Sequence, residues 1–112
     1  MFPIWEHVCY AVIMRIIARR TLRVFWQKRA HRGAEQPLRA WFAEARKATW
    51  RKPQDIKNQY RTASAVGNNR MVFNIGGNKY RLVVTIRYDL GIIFVRFIGT
   101  HRQYDRIKVE EV

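Results

Sequence analysis

The sequence predicts an α+β domain in which N-terminal helices cover a small, mainly antiparallel β-sheet, and three observations lead there. Apolar residues recur at helical spacing as far as Tyr60, and from Arg70 onward the period changes to two. A chain of 112 residues suits a single hydrophobic core, so helices and strands must share it.

Taken in order, Ile16 and Ile17 read as a short strand. Thr21 is positioned to cap a helix whose Leu22, Phe25 and Trp26 fall on one face. "KRAHRGAE" is a basic, Gly-containing break. Pro37 suits the first turn of a second helix, in which Leu38, Trp41, Phe42 and Ala45 form an apolar stripe opposite Arg39, Arg46 and Lys47. Pro53 opens a third, short helix with Ile56 and Tyr60 at i, i+4. "RTASAVGNN" collects small and turn-forming residues and reads as a loop. Two half-buried strands follow, with Met71, Phe73 and Ile75 alternating with Arg70, Val72 and Asn74, and Tyr80, Leu82, Val84 and Ile86 alternating with Lys79, Arg81, Val83 and Thr85. After a "DLG" turn, "IIFVRFI" from Ile92 to Ile98 is apolar enough for a central strand, and "THRQYDRI" reads as a loop entering a short terminal helix.

Residues 1–13 stand apart. "MFPIWEHVCYAVIM" is interrupted by Glu6 and His7, lacks a basic leader and is too short to span a bilayer, so no membrane association is expected. Met14 followed by "RIIARRTLRVFW" reads as a natural beginning. The first 13 residues are accordingly an extension or a misplaced start, with an additional strand on the core as the equal alternative, and residues 14–112 form the domain.

Charge narrows the partner. There are 22 Lys+Arg against 8 Asp+Glu, a net +14, and 16 of the 22 are arginine, which binds phosphate bidentately and stacks on bases. A polyanion is the first inference, with nucleic acid, an anionic membrane surface and an acidic protein all compatible with the charge alone. Cys9 is the only cysteine, which rules out an intrachain disulfide and a multi-cysteine zinc site and fits a reducing cytoplasm.

Within "NIGGNKYRLVV", a two-residue Gly76-Gly77 turn would set Asn74 opposite Lys79, Val72 opposite Arg81 and Arg70 opposite Val83. Phe73 and Tyr80 would then face the helices. Arg70, Asn74, Lys79 and Arg81 would gather on the other face with no acid among them, a cationic platform of phosphate size. Arg96, the one charge in the third strand, either extends this platform or forms a structural ion pair. His101 lies just past that strand, with Tyr104 three residues later, and histidine titrates near neutrality. Other chemistry lacks its residues: there are no paired carboxylates at a strand end, no Gly-rich loop with Lys-Ser/Thr, no Ser or Cys nucleophile with a nearby base and no metal-ligand set, so no cofactor is expected.

"NNRMVFNIGGNKYRLVV" followed by "IIFVRFIGTHRQYD" resembles the HigB family of bacterial toxins within the RelE/ParE superfamily, and the likeness extends over "RTLRVFW", "PLRAWFAEARKATW" and "RKPQDIKNQY". The resemblance implies a RelE-like fold and a cytoplasmic, metal-independent endonuclease that cleaves mRNA on translating ribosomes by attack of the RNA's own 2′-OH. It also implies a helix-turn-helix antitoxin of HigA type that holds the toxin inactive in a joint oligomer. By the same resemblance Arg81 would bind the scissile phosphate, Lys79 and Arg70 would stabilise its growing charge, and Asn74 would orient phosphate or ribose. His101 would move a proton and Tyr104 would stack a base or assist it. Gln103 stands where the family pattern leads one to expect an acid. Two other readings stay open: a ParE-like toxin acting on gyrase, and a basic RNA-binding module without catalysis.

Overall fold

The computed structural model describes residues 14–112, and the expectations for residues 1–13 lie outside them. Strand β1 (Arg15–Ile17) leads into α1 (Arg19–Gln27), a 3-10 segment (Arg29–Ala34), α2 (Glu35–Lys47) and α3 (Pro53–Gln59). Four further strands follow, β2 (Ser64–Val66), β3 (Arg70–Ile75), β4 (Tyr80–Arg87) and β5 (Ile92–Thr100), before a terminal α4 (His101–Tyr104). The sheet order is β1-β5-β4-β3-β2, antiparallel throughout except for the parallel β1–β5 pair. The predicted α+β architecture is the one observed.

The alternation of β3 and β4 decides where the core sits. Met71, Phe73 and Ile75 with Tyr80, Leu82, Val84 and Ile86 are buried beneath Leu22, Phe25 and Trp26 of α1, Leu38, Trp41 and Ala45 of α2, and Ile56 of α3. Aromatic rings dominate the contact: Phe73 lies 5.4 Å from Trp41, 6.0 Å from Trp50 and 5.1 Å from Tyr60. His31 is stacked on Phe25 at 4.1 Å and meets Tyr80 edge-on, so this histidine belongs to the packing under the 3-10 segment. Proline positions behave as their chemistry requires. Lys52, before Pro53, is extended (φ −156°, ψ 162°), and the proline opens α3 where its missing N–H costs nothing.

Three local expectations are corrected. Thr21 does not cap α1: the helix begins at Arg19, and the Thr21 N–H donates to the Ala18 carbonyl at 3.2 Å from inside the first turn. Helix formation starts earlier because β1 ends at Ile17, leaving Ala18 alone to turn the chain. "RTASAVGNN" is not all loop, since Ser64–Val66 pairs with β3 as a short edge strand. Asn68 and Asn69 make the return possible, both with positive φ (60° and 61°), a region asparagine tolerates better than other side chains.

The hairpin register is the third correction. Ile75 pairs with Tyr80, so Gly76, Gly77, Asn78 and Lys79 all lie in the connection, and Asn74 opposes Arg81, Val72 opposes Val83 and Arg70 opposes Thr85. Gly76 and Gly77 both have positive φ (63° and 70°), and the Lys79 N–H reaches the Gly76 carbonyl at 3.4 Å. The Tyr80 ring packs directly over Gly76, where a Cβ would sit 3.4 Å from it, and edge-on against Phe25. That packing draws Tyr80 into the ladder. The slip is two residues, and because side chains alternate with period two every residue that stays on the strands keeps its predicted face, while Lys79 leaves the ladder for the connection.

Candidate phosphate-binding face

The sheet face turned away from the helices carries the predicted Arg70, Asn74 and Arg81, while Lys79 lies in the connection, and the rows of this face follow from the register. Nearest the hairpin turn lie Asn74, Arg81 and Gly99; next come Val72, Val83 and Phe97; beyond them are Arg70, Thr85 and Phe94. The middle row is apolar, with Val72 and Val83 buried, and the polar groups separate to either end. The predicted platform is therefore two clusters.

Around Arg81 the residues converge. Its guanidinium donates to Asn78 Oδ1 at 3.3 Å and lies 6.0 Å from the Tyr104 ring centroid, within the range of a cation–π contact. Asn74, directly across the ladder, donates from its amide to the Thr62 carbonyl at 3.4 Å. Lys79 is exposed in the connection beside them. Tyr104 arrives because β5 runs straight into α4: Thr100 pairs with Tyr80 at the end of β4, and the helix begins at the next residue, His101. His101 is half-buried and three positions before Tyr104, hence on the same face of that turn. No acidic residue occupies this row.

The other cluster is engaged differently. Arg70 is half-buried, with one guanidinium nitrogen donating to the Val112 backbone oxygen and another to the Asn68 carbonyl at 3.2 Å. Asn68 in turn donates to the Glu110 carbonyl at 3.1 Å, so these two residues tie the C-terminal segment to the β2–β3 turn. Arg96 is the extra residue of a β-bulge between the pairs Val83–Phe97 and Val84–Val95. Its Nε donates to Thr85 Oγ1 at 3.1 Å, and its guanidinium lies 5.4 Å from the Phe94 ring. The ion-pair alternative for Arg96 gives way to this hydroxyl contact, and the arginine joins Arg70's end of the face.

Two features escaped the sequence reading. Thr100 and Gln103 form a capping box, with Thr100 Oγ1 accepting the Gln103 N–H at 3.3 Å and Gln103 Oε1 accepting the Thr100 N–H at 2.8 Å. The T-x-x-Q spacing of "THRQ" was the available signal. The second is a concavity of about 450 Å³ between α1 and α2, floored by Leu22, Trp26 and Phe42 and rimmed by Arg19, Arg39 and Arg46. It lies among the helices, and none of its lining residues belongs to the Arg81 row.

Among the described residues no three His, Cys, Asp or Glu side chains group as metal ligands, and no helix is long and apolar enough to cross a membrane. No curated protein matches the chain. A family model described as the HigB toxin, the RelE-like toxic component of a toxin-antitoxin system, matches residues 34–107, which takes in α2, α3, the whole hairpin, β5 and α4. On that match, over well more than half of its length, the chain belongs to the HigB family of RelE-like toxins.

Proposed function

We propose that this toxin is a cytoplasmic endoribonuclease that cleaves mRNA on translating ribosomes, without a metal, and is neutralised by a HigA-type helix-turn-helix antitoxin in a joint oligomer. The observation that carries the reading is the surroundings of Arg81: an acid-free row holding Asn74, with Asn78 fixing the guanidinium and Tyr104 beside it.

In the proposed reaction the ribose 2′-oxygen attacks the adjacent phosphorus, the 5′-oxygen of the next nucleotide leaves, and a 2′,3′-cyclic phosphate results. The demands on the protein are electrostatic and protonic. Arg81 binds the phosphate and, with Lys79, neutralises the charge that grows on the phosphorane oxygens. Asn74 orients phosphate or ribose through its amide. His101, half-buried at the start of α4, transfers the proton to or from a reacting oxygen, and Tyr104 stacks a base or aids that transfer. Arg96, beside Phe94, meets flanking nucleotides, and Arg70 does so once its bonds to Val112 and Asn68 open.

The test is cleavage of mRNA on translating ribosomes by the wild type, Arg81→Ala and His101→Ala. The reading expects fragments with 5′-OH ends from the wild type and none from either variant, while both still bind antitoxin. Full cleavage by both variants would remove the assignment of the site. Gyrase inhibition without cleavage would point to a ParE-like action, and salt-sensitive RNA affinity without product to a binding module.

A further inference from the structure

Where α4 sits depends on two residues that take no part in the proposed chemistry. Gly99 is buried in β5 directly opposite Arg81, and a Cβ on it would lie 2.5 Å from Phe97 Cζ and 2.7 Å from Gln103 Oε1. Those separations are well inside van der Waals contact, so the strand must be bare at this point for Phe97 and Gln103 to lie over it. Gln103 Oε1, seated in that space, closes the capping box by accepting the Thr100 N–H at 2.8 Å. A helix of four residues has no persistence of its own. Its hold on the strand end comes from this reciprocal cap, while the Asp105 N–H bonding the His101 carbonyl at 3.0 Å only closes the turn itself.

We infer that Gly99 and Gln103 are positioning residues: together they latch α4 onto β5 so that Tyr104 stands beside Arg81, with His101 on the same face of the turn. The inference rests on the proposed endonuclease function for its consequence, but the latch itself is a matter of geometry. It also accounts for the side chain at position 103. The third position of a capping box accepts Glu or Gln, because either supplies an oxygen to the N-cap amide. Gln103 keeps the bond without placing a negative charge next to the phosphate-binding row. Gln103 is exposed, so its replacement leaves the core intact.

The experiment uses the full chain and ribosome-bound mRNA under multiple turnover, with Gln103→Ala, Gln103→Glu and Gly99→Ala. Gln103→Ala should lower kcat about tenfold, equivalent to about 1.4 kcal/mol, with KM unchanged, since Arg81 and the other cations still hold RNA. Gln103→Glu, which restores the cap, should recover most of the loss in kcat while raising KM through its charge next to the phosphate-binding row, and Gly99→Ala should lose at least as much kcat as Gln103→Ala. A wild-type kcat in Gln103→Ala, or a loss confined to KM, would overturn the latch. A second readout separates the latch from the endonuclease reading: with the Arg81 guanidinium 6.0 Å from the Tyr104 ring centroid, the ring should shift the Arg81 side-chain proton resonances, and Gln103→Ala should abolish that shift. If the shift persists the latch is wrong whether or not RNA is cut, and if it vanishes while the wild type cuts no RNA, only the endonuclease reading falls.

Discussion

Phe73→Leu is the substitution that tests the packing beneath the hairpin most sharply. The phenyl ring is fully buried and touches three other rings, edge-on to Trp41 at 5.4 Å and to Tyr60 at 5.1 Å, and stacked near Trp50 at 6.0 Å. Leucine keeps the position apolar but deletes all three ring contacts, each worth about 0.5–1.5 kcal/mol beyond area burial, or roughly 3 kcal/mol together. With a urea m-value of about 2 kcal/mol per M, the unfolding midpoint should fall by about 1.5 M. Fluorescence of Trp41 and Trp50 reports the transition directly, and the m-value should not change. Cleavage per folded molecule should also hold, because Phe73 and the neighbouring Asn74 point to opposite faces of β3. A midpoint shift of less than about 0.3 M, the size expected of a surface substitution, would refute the aromatic account of this core.

Other outcomes follow from the same geometry. Arg81→Lys keeps the charge but loses the planar fork, so cleavage should drop by about one to two orders of magnitude while RNA affinity changes little, checked by turnover and binding in parallel. The Tyr60 phenol is pushed far above the ordinary tyrosine range, first by burial and then by its hydrogen bond and proximity to Glu44. Its raised folded value means the stability it confers is complete below the unfolded pKa, about 10, and is lost as pH rises through the folded value. Alkaline unfolding of the wild type should therefore be steeper with pH than that of Tyr60→Phe, measured by urea titrations across that range. The Arg87–Asp89 pair is exposed, and Arg87 holds the Asp89 carboxyl below its usual range through their hydrogen bond; Arg87→Gln should raise the Asp89 pKa in an NMR titration without moving the melting temperature measurably.

The faces of the hairpin were legible because a period of two survives any even slip in register. The register was not, because what sets it is the Tyr80 ring seated over Gly76 and edge-on to Phe25, a contact between distant parts of the chain. Arg96 shows the same limit. A charge in "IIFVRFI" signals something unusual, but that it is the extra residue of a bulge depends on how β5 pairs with β4. Arg70 was legible as a cation on the outer face, while its capture by Val112 and Asn68 needed the path of the C-terminal segment. The cap on α4, by contrast, is legible in the local spacing of Thr100 and Gln103. Length and size of side chain hid β2, since "SAV" is too short and too small to stand out from the turn residues around it.

The proposed function stands or falls on whether the Arg81 row, with His101 of α4 as its proton carrier, breaks RNA. Mapping mRNA ends from translating ribosomes shortly after exposure to the wild-type chain, with Arg81→Ala in parallel, tests it most directly. The wild type should yield new 5′-OH ends paired with 2′,3′-cyclic or 3′-phosphate ends, and the variant none. Intact mRNA with the wild type, or the same ends with Arg81→Ala, would contradict it.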